Sequence, residues 1–226
     1  MALILCIEST SKNCSVAVVK DGHVLAIKER VSENYTHAEE LHPFIQEVIH
    51  NAGLTPKDLQ AVMVSAGPGS YTGLRIGVAA AKGICFSLSI PLLAADTLSI
   101  MAKWAIAHLK GFDVYQPMID ARRMEVYTGV WDVMGNVQST IDAVVLDEAY
   151  FAAMDKNHVL FGDGAAKCQG LTSAHVITDV WPSADKMAPL AEELFQAGKV
   201  QDLAYFEPFY LKDFQPGKPK KDPLVK

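Results

Sequence analysis

The chain has 226 residues, half of them hydrophobic, and a formal net charge of −6. That supplies a core but no excess of positive charge for the body to hold nucleic acid by its phosphates, so any RNA is expected to be carried by another subunit. Four cysteines at positions 6, 14, 85 and 168 show no C-x-x-C spacing, and the start MALILCIEST lacks a basic stretch and a long apolar run; a reduced, cytoplasmic protein without signal peptide or membrane span is expected.

Residues 3–7 read as a first strand and residues 14–20 as a second. Asp21-Gly22 is a hairpin signal leading to a third strand at 24–30. Thr36 and Glu39 have the spacing of a capping box, and Leu41, Phe44, Ile45, Val48, Ile49 and Ala52 follow at helical intervals. Pro43 is expected to kink or restart that helix, and Gly53 to end it.

A buried strand at 61–65 stops at Gly67-Pro68-Gly69, after which Ser70 or Thr72 can cap a helix running to Leu88. Gly73, Gly77, Ala80 and Ala81 lie three or four residues apart, leaving one helix face almost bare. Each helical glycine costs about 1 kcal/mol relative to alanine, so something must pack very close. An anion at the helix N-terminus is one reading. The spacing fits neither a P-loop nor a dinucleotide fingerprint, which favours close packing, inside the fold or against another subunit. In the second case Leu41, Phe44, Ile45, Val48, Gly73, Leu74, Gly77, Ala80 and Ala81 would form the interface.

Residues 91–95 make a fifth strand, and Asp96 can cap a helix over 97–109. From Tyr115 the order repeats: a strand ending at Asp120, a hairpin through Ala121-Arg122-Arg123, strands at 125–133 and up to Leu146, and a short helix at 148–154. A strand at 159–161, a Gly162-Asp163-Gly164 turn, a strand at 175–178 and a helix at 183–197 follow. Ile7-Glu8 corresponds to Ile119-Asp120, an offset of 112 residues (120 less 8). The pattern is an α/β protein of two similar lobes, each a mixed sheet flanked by helices. The expected division is residues 1–111, residues 112–213, and a lysine- and proline-rich tail at 214–226.

Acids ending the first strand of each lobe, Glu8 and Asp120, stand where an actin-like or sugar-kinase-like ATPase would hold magnesium and phosphates. Gly162 and Gly164 stand where such a fold would place a nucleotide loop. Against this, polar residues after a strand commonly bond their own backbone, and that reading is preferred. His37 and His42 are five apart, on different helix faces, so no metal site is expected there.

The words ILCIESTSKNCSVAVV, HAEELHPFI, SAGPGSYTGLRIGVAAAKGI and MIDARRMEVYTGVW, in this order, resemble the bacterial TsaB (YeaZ) family. The resemblance implies a duplicated ribonuclease-H-like, actin-like fold and a part in forming threonylcarbamoyladenosine beside the anticodon of tRNAs reading codons that begin with A. It also implies a homodimer when alone, a heterodimer with the catalytic relative TsaD, the ATPase TsaE as a further partner, and tRNA met only through the complex. In that relative an Asn-His-x-Glu-Gly-His segment binds metal. Here Asp96-Thr97-Leu98-Ser99-Ile100-Met101 aligns with it, placing Thr97 and Met101 at the histidine positions, so no catalytic residue, metal or cofactor is expected. Glu8 stands where many members have Asp, and Lys212 where Arg is common. The alternatives are an actin-fold phosphotransferase using Glu8, Asp120 and the Gly162 loop, or a metallopeptidase.

Overall fold

The computed structural model describes residues 2–33, 36–152 and 154–212, so the tail expected over 214–226 lies outside it. The first sheet contains β1 (Leu3–Glu8), β2 (Asn13–Lys20), β3 (His23–Val31), β4 (Ala61–Ser65) and β5 (Leu92–Ala95) in the order β3-β2-β1-β4-β5. β1 pairs antiparallel with β2 and parallel with β4. The second sheet is built from β6 (Val114–Asp120), β7 (Glu125–Asp132), β8 (Val137–Val145), β9 (His158–Phe161) and β10 (His175–Ile177), in the order β10-β9-β6-β7-β8. Counted from its own first strand, each sheet has the same order and the same directions. The chain is therefore a duplicated ribonuclease-H-like fold, with Glu8 and Asp120 closing the equivalent central strands.

Period-two alternation gives the first sheet two apolar faces. Leu5, Ile7, Val16, Val18, Val62 and Val64 face α1 (His37–Asn51) and α2 (Tyr71–Leu88). Ile4, Cys6, Ala17, Val19, Met63 and Leu93 face the other way, onto Ala184, Met187, Ala188 and Ala191 of a 3-10 turn and α5 (Ala188–Gln196). α3 (Thr97–His108) follows the last strand of the first sheet, yet its Leu98, Met101, Ala102 and Ala105 pack on Tyr115, Ile119, Trp131 and Phe161 of the second. Each half of the chain thus contributes a helix to the other half's sheet. Lys103 of α3 pairs with Glu193 of α5, and Lys186 stands 4.9 Å over the Trp104 ring. α4 (Glu148–Phe151) covers the opposite face of the second sheet with Ala165 and Cys168.

This arrangement revises the expected division at 112–213, because residues from about 182 onward build on the first lobe. Asn13 donates to the Pro182 carbonyl (3.0 Å), and the Ala184 N–H donates to Ser15 Oγ (3.0 Å). After α5, Gln201 pairs with Leu92 at the sheet edge and the Phe209 N–H donates to the Ala66 carbonyl (2.7 Å). Tyr210 then meets Tyr71, ring centroids 4.9 Å apart, and Lys212 reaches Glu125 of the second lobe.

Several local expectations change. Pro43 sits inside α1 without ending it, and Thr36 makes no side-chain cap; its hydroxyl donates to Glu40 at 2.6 Å. Ser70, rather than Thr72, caps α2 by accepting the Gly73 N–H (3.3 Å), and Asp96 caps α3 through the Ser99 N–H (2.7 Å). The helix expected near residues 183–197 starts as a 3-10 turn, and a second such turn, Ala165–Cys168, follows the Gly162-Asp163-Gly164 turn.

The larger correction concerns the bare face of α2, which points into its own lobe. A Cβ added at Gly73 would lie 2.0 Å from the Ser9 carbonyl oxygen, and one at Gly77 2.1 Å from Ser9 Oγ. Leu41, Phe44, Ile45, Val48, Ala80 and Ala81 are buried in the same core as the sheet, and Leu74 is buried beside Gly67. Leu41, Val48, Leu74 and Ala81 are almost wholly covered, whereas Ile45 and Ala80 still line hollows on the outer side of α1 and α2.

Candidate functional site

The two strand ends that the sequence singles out form closed corners. In the first lobe Glu8 is fully buried. Its Oε1 accepts the Thr10 N–H (2.7 Å) and the Thr10 hydroxyl (2.5 Å), and its Oε2 accepts the Ser65 hydroxyl from the end of β4. Burial pushes the carboxyl above its ordinary range, and the three donors pull the other way. Around it, Ser9 Oγ donates to the Gly73 carbonyl (2.9 Å) and the Ser70 N–H donates to the Thr10 carbonyl (2.6 Å). Both ends of α2's first turn are therefore tied to the loop that follows β1. The glycines exist for this approach: at Gly69, too, a Cβ would come within 2.5 Å of Thr10.

In the second lobe Asp120 Oδ1 accepts the Arg122 N–H (2.7 Å) and the Lys167 ammonium (2.5 Å), and Lys167 also donates to the Glu125 carbonyl (2.7 Å). Gly162 has φ +119°, and a Cβ there would meet the Met118 carbonyl oxygen at 2.2 Å; at Gly164 it would meet the Ile119 carbonyl carbon at 2.9 Å. These glycines bring the turn after β9 against the end of β6. Asp163 between them has one carboxyl oxygen sealed from solvent without a hydrogen-bond donor among the described residues. Its carboxyl is pushed up to about 7, first by burial and then by the negative charge of Asp120.

The structure thus sets Gly162 and Gly164 against the strand end at Asp120, while every described hydrogen bond of Glu8 stays within the first lobe. Sequence reasoning misses Ser65 and Lys167, and takes Asp163 only as part of a turn. The only signal for Lys167 is a lone lysine three residues beyond the Gly-Asp-Gly turn. Thr97 and Met101 are both fully buried, with Met101 packed among Leu98, Ala102 and Phe161. A hydroxyl and a thioether are weak donors for a hard cation, so these positions do not suit the metal that histidines would hold there. Among the described residues no group of three or more His, Cys, Asp or Glu side chains could hold a metal.

On the outer side, α1 and α2 enclose two adjoining hollows of about 350 and 480 Å³. Ile45, Ile49, Leu54, Ile84 and Leu88 line one, and Ala38, His42, Ile76, Ala79 and Gly83 line the other. A Cβ at Gly83 would meet nothing within 4 Å, and Phe86, one helical turn away from Lys82, is 79% exposed. No described helix is long and apolar enough to cross a membrane.

Residues 30–218 match a family model described as TsaD, tRNA N6-adenosine threonylcarbamoyltransferase. The tRNA threonylcarbamoyladenosine biosynthesis protein TsaB of Escherichia coli K12 is 30% identical over 226 aligned positions, covering 93% of this chain and 94% of that protein. Its Bacillus subtilis namesake is 32% identical over 64% of this chain and 60% of its own length. The solved structure of YeaZ from Pseudomonas aeruginosa superposes with a TM-score of 0.76 at 26% identity, covering 93% of this chain and all of that one.

Proposed function

The chain belongs to the TsaB (YeaZ) family of tRNA threonylcarbamoyladenosine biosynthesis proteins, and from that premise we propose that it is a non-catalytic partner subunit. In this reading it activates the tRNA threonylcarbamoyl transfer performed by a TsaD-type relative, with a TsaE-type ATPase joining them. It forms a homodimer when that relative is absent. The observation that carries the reading is the enclosure of Glu8: both carboxyl oxygens are taken up by Thr10 and Ser65 inside a corner without solvent access. A phosphotransferase would need that acid facing a nucleotide. The buried Thr97 and Met101 support the same conclusion for metal-dependent transfer.

The surface proposed for the partner is the outer groove between α1 and α2, around Ile76, Ala79, Gly83 and Ile84. Of the set read from the sequence, Ile45 and Ala80 line this groove. Its apolar hollows and its open glycine suit the close approach of a partner helix pair.

Reconstitution tests the proposal. The chain alone should bind no stoichiometric metal and release no phosphate, and the catalytic relative should modify tRNA only when the chain is added. Glu8→Gln should leave the activity of the reconstituted complex intact. Turnover by the isolated chain, or loss of complex activity in a folded Glu8→Gln protein, would overturn the non-catalytic reading.

A further inference from the structure

Two histidines stand in the outer groove between α1 and α2, one in each hollow. His42 lines the hollow formed with Ile76, Ala79 and Gly83, and His50 lines the one formed with Ile49, Leu54 and Leu88. They lie about two turns of α1 apart, and both residues are exposed. In each hollow the histidine is the one lining residue whose charge changes near neutral pH.

The charges around them are turned elsewhere. On α1, Glu47 pairs with Lys28 at 2.8 Å and Glu40 with Arg30 at 2.6 Å, both partners lying on β3. On α2, Lys82 donates to the Ala204 and Phe206 carbonyls (3.1 and 3.0 Å), and Arg75 stands over the Tyr71 ring. In the loop beside His50, Asp58 accepts the Thr55 N–H (2.7 Å) and the Thr55 hydroxyl (2.8 Å), and Lys57 is exposed. Glu39, three residues before His42, is exposed and has no ion pair among the described residues. With its histidines neutral, the lining of the groove carries no charge, in a chain of net −6.

That neutrality says what can cover it. A two-fold contact sets a patch against itself, so a charged patch would repel its own copy. Close crossing of two helices also needs a small residue on both, and a second copy supplies its own Gly83, where a Cβ would meet nothing within 4 Å.

We propose that this groove closes on the groove of a second copy, and that His42 and His50 make the closure proton-sensitive, the copies separating as pH falls. The inference rests on the reading that places the partner on this groove, and adds its regulation. An imidazole in water takes up a proton as pH falls below about 6.5. Between two apolar surfaces a charged ring loses its hydration, so closure favours the neutral form. The joined chains then hold fewer protons than the separate ones, and acid pulls the equilibrium towards separation. Two rings from each copy enter one contact, so protonation also sets like charges together.

The test is sedimentation equilibrium of the full-length chain at about pH 7.5 and about pH 5.5, on either side of the histidine range, at constant ionic strength. The dimer dissociation constant should rise by at least about tenfold on acidification, the size of one unit's displacement in a single midpoint. His42→Gln/His50→Gln should dimerise as the parent does at the higher pH and lose the dependence, with far-UV dichroism showing the fold intact at both. A dissociation constant equal at the two pH values, one that falls on acidification, or a dependence kept by the glutamine variant overturns the proposal. So does a chain that stays monomeric at the higher pH. If that monomeric chain still supports tRNA modification with its TsaD-type relative, this inference alone fails; if it neither binds nor activates the relative, the partner-subunit reading fails with it.

Discussion

At the scale of single residues, Ser9 decides what α2 can tolerate. Gly73→Ala would drive a methyl group into the Ser9 carbonyl oxygen, 2.0 Å away, and backbone cannot step aside as a side chain can. The expected loss is about 1–3 kcal/mol, read as a lowered thermal midpoint with association unchanged. Gly77→Ala should be milder, since the obstructing atom is the Ser9 hydroxyl, which can rotate after giving up its bond to the Gly73 carbonyl. Asp163 makes a second prediction. Its carboxyl is raised from 3.8 to about 7, so the folded protein keeps a proton that the unfolded chain releases. The stability attached to that proton is complete at pH values below about 3.8 and is lost as pH rises through about 7. Asp163→Asn should therefore be more stable than the parent at pH 8, with the difference shrinking towards pH 4. An equal difference at both pH values in denaturant titrations would reject that account.

At the scale of elements, the exposed face of α2 is open to test through Gly83. A leucine there meets no neighbour within 4 Å of its first carbon and replaces a poor helix former. Gly83→Leu should hold or raise the thermal midpoint of the subunit while weakening homodimer and heterodimer formation in sedimentation, the reverse of the pattern at Gly73. If association is untouched, the groove around Ile76 and Ala79 is not the interface. These two glycines also show how far the sequence could be read. Strand and helix positions were legible because apolar periodicity and the Ser70 and Asp96 caps are local signals. The demand for close approach at Gly73 and Gly77 was equally legible, yet its target was not, because Ser9 lies 64 residues before Gly73 and no spacing announces that contact. The corner at Asp120 was seen through the repeat of the hairpin, whereas Lys167, 47 residues further on, has no counterpart in the first half to point it out. The Thr36–Glu39 spacing misled because the Thr36 hydroxyl is turned to donate to Glu40 and accepts no N–H of the first turn.

At the scale of the whole molecule, the exchange of α3 and α5 between the lobes makes each sheet depend on the other half of the chain. Leu98, Met101, Ala102 and Ala105 seal one face of the second sheet, and a fully buried large apolar side chain contributes about 1.5–3 kcal/mol. Residues 112–181 expressed alone should lack that cover and bind hydrophobic dyes without a cooperative melt, while the intact protein should unfold in one calorimetric transition. Two resolved transitions, or a cooperatively folding fragment, would show the lobes to be independent. The same exchange bears on synthesis. All five strands of the first sheet have been made once Ala95 is added, but the face carrying Ile4, Cys6, Met63 and Leu93 waits for Ala184, Met187, Ala188 and Ala191. At about 5–20 residues per second, roughly five to twenty seconds pass between the two. Throughout that interval the nascent chain carries a half-built sheet with one greasy face still uncovered.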